Sequence, residues 1–324
     1  MSLGWSSAWD GHDRAPLRIG IAVIAGLELL VECLQVGWQS RDPARFPPTG
    51  TLSEWLGAIP GAALGIEAMI LVGLVALARD RRPVIAGLWV LLWGALLSEW
   101  QTQIFGSPSR NAFFPGAAML GWVLGQAWAH ETADLRDEAA PRALREQLGE
   151  AGAVACIAAA YLGSCLSKLG AAGLGWADGD QIRALVLWQQ PLASWEWLAA
   201  YREGILRVPA LARAASFATL VIEGGALLLL FGPRLRLAWA TLLVGLHLNI
   251  ILLCTMPYLE PMALLGLLAV PWPRLLRRPA KVSADEESPP SLDGVRMPPA
   301  MALWLGGIVL LAWILAPWGW RASP

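Results

Sequence analysis

Lysine is almost missing from this chain: of 24 basic side chains only Lys168 and Lys281 are lysines, and the rest are arginine. Charge of either sign is also scarce, at 15% of the 324 residues, while 56% are hydrophobic and the mean hydropathy is +0.51. Too few polar residues remain to coat a soluble domain of this size, so the solvent must be a bilayer. No soluble segment offers a basic face, which excludes nucleic acid as a partner. The four cysteines, Cys33, Cys156, Cys165 and Cys254, lie in apolar runs without a Cys-x-x-Cys pair. They read as small hydrophobes, and no metal or redox role is assigned. A cleavable leader is lacking too, because Asp10, Asp13, Arg14 and Arg18 precede the first apolar run and no small-residue cleavage site follows a short core. The first span is therefore expected to stay in the mature protein.

What is present is a series of apolar runs about 20 residues long, the length a helix needs to cross a bilayer. They predict spans near 16–37, 58–78, 83–104, 113–129, 151–171, 208–231, 237–256, 258–273 and 299–318. The expected fold is an all-α polytopic helical bundle of about nine spans with a cytoplasmic N-terminus (1–15). A transmembrane domain covers 16–273, a Ser-, Pro- and acid-rich inner linker 279–298, and a final helix 299–318. That orientation puts the arginine clusters Arg79, Arg81 and Arg82, Arg142 and Arg145, Arg234 and Arg236, and Arg274, Arg277 and Arg278 inside. The arginine-for-lysine bias and abundant alanine suggest a GC-rich bacterial genome and hence the inner membrane.

Two polar stretches interrupt the spans. Glu131–Glu150 mixes acids with three arginines around Pro141 and reads as a solvated surface helix. Residues 176–207 interleave Trp176, Trp188, Trp195 and Trp197 with charges, which suits outer interfacial helices covering a cavity between the fifth and sixth spans.

Leaving aside Arg18, Arg213 and Glu260 near span ends, seven ionisable side chains fall inside the predicted spans: Glu28, Glu32, Glu67, Glu99, Lys168, Glu223 and His247. Each costs about 3 kcal/mol or more at mid-bilayer if charged and exposed to lipid, so all are expected to face the bundle interior. Helical spacing puts Glu28 and Glu32 on one face and sets Tyr161, Ser164, Cys165 and Lys168 on one stripe. Three states are open to Lys168. It can snorkel past Gly170 to the headgroups, pair with an acid as an ammonium, or sit unpaired as a neutral amine and act as a base.

The run Tyr161-Leu-Gly-Ser-Cys-Leu-Ser-Lys168-Leu169, followed by Trp176-Ala-Asp-Gly179, resembles the signature of the vitamin K-dependent gamma-glutamyl carboxylases and their bacterial relatives, the horizontally transferred transmembrane (HTTM) domain proteins. Glu223, then Arg234 or Arg236, Leu246-His247-Leu-Asn249 and Tyr258 resemble the same family's acid, arginine and histidine-bearing helix. The likeness runs from the first span to about Trp272. It implies that Lys168 is the base that deprotonates a reduced quinone, vitamin K hydroquinone or menaquinol, with oxygen and carbon dioxide as co-substrates. It also implies a catalytic role for His247 and a pocket that includes Tyr161, Trp176, Glu223 and Asn111, with Glu28 and Glu67 as further candidates. No metal is expected. The chain departs from the family in having Ala112 where a histidine follows the asparagine, and it carries no large extramembrane domain by Pro324.

The expected partners are the lipid bilayer, a quinol and a secreted peptide substrate. The competing expectation is a non-enzymatic HTTM protein serving peptide maturation or export, immunity or small-molecule transport. Transport lacks the repeated halves with broken helices that would support it.

Overall fold

The computed structural model describes residues 9, 13–42, 44–105, 113–134, 142–191, 193–255 and 258–275. Among these, every regular element is a helix: α1 (Ala15–Gln39), α2 (Thr51–Gly57), α3 (Ala62–Ala78), α4 (Pro83–Phe105), α5 (Phe113–Asp134), α6 (Arg142–Ala172), α7 (Asp180–Trp188), α8 (Glu196–Arg207), α9 (Pro209–Gly224), α10 (Pro233–Cys254), α11 (Leu259–Ala269) and α12 (Trp272–Leu275). Tight 3-10 turns, Gly173–Asp178 and Gly225–Leu230, follow α6 and α9.

The outward faces of these helices show which solvent they meet. On α1, Ile19, Val23, Leu27, Val31 and Leu34 are exposed at spacings of three or four, while Leu17, Ile21, Ala25, Leu29, Cys33 and Val36 are buried on the other side. A helix in water would carry polar residues on that outer stripe, so its apolar character marks a lipid-facing surface. Among the described residues, five helical segments are long and apolar enough to cross a membrane, within Ala15–Gln39, Pro83–Ile104, Arg142–Asp178, Pro209–Leu230 and Pro233–Cys254. There are six if α2 and α3, bent by 96° at their break, count as one span. The predicted linker 279–298 and last span 299–318 lie outside the described residues, as does most of 1–15.

Small residues set the closest packing. Gly121 and Gly125 on α5 lie against Gly152 and Leu148 on α6 so tightly that a Cβ at either glycine would collide with backbone. This is how membrane helices gain contact without a hydrophobic driving force between them.

Three expectations are corrected here. The acidic run before the fifth span is not a solvated face: α6 begins at Arg142, and its Glu146 and Glu150 are 4% and 0% exposed. They are buried because arginines converge on them. Arg18 donates to Glu146 at 2.5 Å and lies 3.3 Å from Asp80, while Arg142 sits 3.2 Å from Glu146 and 3.3 Å from Asp80. Arg14 meets Glu150 at 2.9 Å, with Arg236 on its other oxygen at 3.5 Å. The start of α1, the α3–α4 turn, the start of α6 and the start of α10 are thereby tied together at one end of the bundle. Second, Glu99 is exposed and accepts a 2.8 Å hydrogen bond from Gln103, so it does not face the interior. Third, the predicted eighth span is a helix of only 11 residues.

Candidate functional site

Tyr161, Ser164, Cys165 and Lys168 share one stripe of α6, as their spacing requires. The stripe faces α9. The Cys165 thiol donates to the Leu220 carbonyl at 3.4 Å, and a Cβ on Gly224 would lie 3.2 Å from that sulfur, so glycine allows the close approach. Glu223 is thereby brought beside Lys168.

The Lys168 Nζ lies 2.9 Å and 2.7 Å from the two carboxylate oxygens of Glu223 and 2.6 Å from the Ser164 Oγ. Ser164 is also hydrogen-bonded to Glu223, closing a triangle. Because Ser164 is four residues before Lys168, the amine reaches back toward the middle of α6. Snorkelling is excluded by that direction, since the helix ends at Ala172 the other way. The ring of Trp176, from the turn after α6, stands 5.5 Å from Nζ and supplies a cation–π contact. The lysine side chain is 22% exposed and that of Glu223 9%, so the pair sits at the edge of the interior.

One turn farther in, the Tyr161 hydroxyl and His247 Nε2 on α10 are 2.7 Å apart. Both residues are buried. Phe114 stacks 4.7 Å from the Tyr161 ring, and Tyr258 stands 5.8 Å from the imidazole. His247 Nδ1 is buried with no hydrogen-bond partner among the described residues. A native interior seldom leaves such a group unsatisfied, so the atom marks a place where something polar belongs.

The outer segment folds as expected into short helices beside the site. Arg202 of α8 donates to the carbonyls of Val186 at 2.7 Å, Gln189 at 2.5 Å and also Leu253, joining α7, α8 and the end of α10. Tyr201 donates to Asn249 at 2.6 Å; burial lifts its phenol above the usual tyrosine range, with the Asn249 bond opposing. Leu187, Trp188, Trp195 and Trp197 are exposed, the last two stacked at 5.5 Å, which suits a headgroup layer. The Trp176 ring stands against Lys168 on this side. A small crevice lies near the arginine-rich end, lined by residues including Val154, Ile157, Leu229, Arg236 and Leu265.

Of the residues singled out in the sequence, Lys168, Glu223, Tyr161, His247 and Trp176 come together. Glu28 is half-buried on α1, and Glu67 is half-buried on α3 within electrostatic range of Cys33 on the α1–α3 seam, away from Lys168. Asn111, with Ala112, lies outside the described residues. Sequence reasoning passed over Glu260, which is 2% exposed at the start of α11. An acid two residues after Tyr258, opening an apolar helix, was the signal for it.

The arrangement is a proton-handling one: an amine and a carboxyl share protons at hydrogen-bond distance, a phenol–imidazole pair lies next to them, and aromatic rings wall both. Among the described residues, no group of three or more histidine, cysteine or acidic side chains could hold a metal ion. The chain matches no family model, no curated protein and no solved structure.

Proposed function

We propose that this protein is a membrane enzyme of the vitamin K-dependent carboxylase-like kind, in which Lys168 acts as base toward a hydroxyl of a lipid-soluble quinol. The observation that carries the reading is the Lys168–Glu223–Ser164 triangle set beside the Tyr161–His247 pair. In the resting pair the proton is on Lys168. Passing it to Glu223 leaves a neutral amine beside a neutral acid, and that amine takes the proton of an incoming hydroxyl. Lys168 then again carries a positive charge, next to the substrate anion, and Glu223 can donate to that anion. A reduced quinone would supply the hydroxyl and the electrons that oxygen accepts. The flat faces of Trp176, Phe114 and Tyr258 fit such a ring, and the unpartnered His247 Nδ1 fits a polar substituent on it. With a cytoplasmic N-terminus and α6 running outward, the site lies in the outer half of the membrane.

A second reading, a non-enzymatic HTTM protein for peptide maturation, export or transport, is favoured by one observation. The three ammonium protons of Lys168 already have acceptors in Ser164 and both Glu223 oxygens.

One experiment separates them. The protein in lipid nanodiscs is offered menaquinol or vitamin K hydroquinone, and binding and oxygen uptake are recorded for wild type and Lys168→Ala. The enzyme reading expects uptake that the folded variant loses. Equal uptake in the variant removes the base assignment, and neither binding nor uptake in wild type leaves the second reading standing.

A further inference from the structure

α11 is a half-helix. Its 11 residues rise about 16 Å, against about 30 Å of hydrocarbon. Its depth is fixed by α1: Gly20 packs directly on the Leu267 side chain, which a Cβ at Gly20 would approach to 2.6 Å. The two helices run in opposite directions. Stepping seven residues back from Leu267 and seven forward from Gly20 reaches Glu260 on one and residue 27 on the other, about 10 Å along both axes. Glu260 therefore lies level with Glu28, at the middle of α1, and the two charges are within electrostatic reach. The first turn of α11 opens at the centre of the bundle, a position where broken helices and their binding sites are found.

Glu260 is 2% exposed. Its carboxyl takes the backbone N–H groups of Leu259 and Glu260, while Oε1 has no hydrogen-bond partner. No basic side chain pairs with it among the described residues. The titratable groups around it are Glu28 from α1, Tyr161 from α6, and His247 and Tyr258 from α10 and the connection into α11. A second orphan among the described residues, His247 Nδ1, belongs to the imidazole that stands 5.8 Å from the Tyr258 ring, just before α11. A buried carboxyl with no cation beside it, level with a half-buried second acid, does not stay ionised at low cost, and its orphan oxygen is satisfied by holding a proton.

We propose that Glu260 is a proton-binding site at the middle of the bundle, holding a proton on its buried carboxyl, with Glu28 level with it on α1. Taking up or releasing that proton makes and breaks only O–H bonds, and no electron moves. The site stands whether or not Lys168 acts on a quinol.

Infrared spectroscopy of the full chain in nanodiscs, in light and heavy water, tests it without any substrate. A protonated buried carboxyl gives a C=O band that shifts in heavy water. That band is expected in wild type, lost in Glu260→Gln, displaced in Glu28→Gln and unchanged in Glu223→Gln. Glu260→Asp, which keeps the acid, is expected to retain a band at an altered frequency. A wild-type spectrum without the band, a Glu260→Gln spectrum that keeps all of it, or a folded Glu260→Asp protein without it overturns the proposal.

Discussion

Two polar clusters lie inside this apolar molecule, and they are built differently. At the arginine-rich end, Arg14, Arg18, Arg142 and Arg236 meet Asp80, Glu146 and Glu150, and each acid serves two guanidinium groups. Around Lys168 there is one ammonium, one carboxylate and one hydroxyl, next to an imidazole with a free nitrogen. Redundant pairing by planar, multi-donor arginines suits a fixed joint among four segments. Sparse pairing beside an orphan polar atom suits a place where protons and ligands come and go.

The sharpest way to break this contrast is to remove a shared acid. Glu150→Ala strands Arg14 and Arg236 in the interior and is expected to cost about 3–5 kcal/mol, read as loss of folded protein in a thermal or denaturant melt. An unchanged melt would mean that the joint is not structural. Glu223→Leu is expected to cost less, about 2 kcal/mol, because Lys168 keeps Ser164 and some solvent. If it proved as damaging as Glu150→Ala, the two clusters would not differ in kind.

Removing both partners sharpens the comparison further. Lys168→Met combined with Glu223→Leu leaves no stranded charge and is expected to fall within about 1 kcal/mol of wild type. A larger loss would show that the pair holds the fold. The smallest effect belongs to the outer segment, where Tyr201→Phe is expected to cost no more than about 1 kcal/mol. Its phenol is held protonated in the fold, so its share of stability is complete below the unfolded tyrosine value of about 10 and is lost as pH rises beyond it. The variant should therefore show a shallower alkaline loss of stability than wild type, and parallel curves would dismiss that contribution.

How legible this was in the sequence depended on whether the interaction was local. The stripe from Tyr161 to Lys168 follows from a 3.6-residue period and was readable. The partner of Lys168 was not, since Glu223 lies 55 residues away on another helix and nothing in spacing distinguishes it from Glu28 or Glu67. Glu146 and Glu150 look like a solvated charge run because composition does not reveal that arginines from two other segments, the starts of α1 and α10, fold onto them. Glu260 was set aside as a span-end residue, yet α11 starts at mid-depth, a consequence of packing on Gly20 rather than of hydropathy. Glu99 shows the reverse error: an acid inside an apolar run is not buried when a neighbour such as Gln103, one turn on, satisfies it at the surface.

The central claim is that the Lys168 cluster works and the arginine cluster holds. Quinol-dependent oxygen uptake in nanodiscs tests it most directly when three proteins are compared: wild type, Lys168→Met with Glu223→Leu, and Arg142→Gln. Wild type and Arg142→Gln are expected to take up oxygen at similar rates, while the folded double variant takes up none. Uptake by the double variant at the wild-type rate would contradict the account.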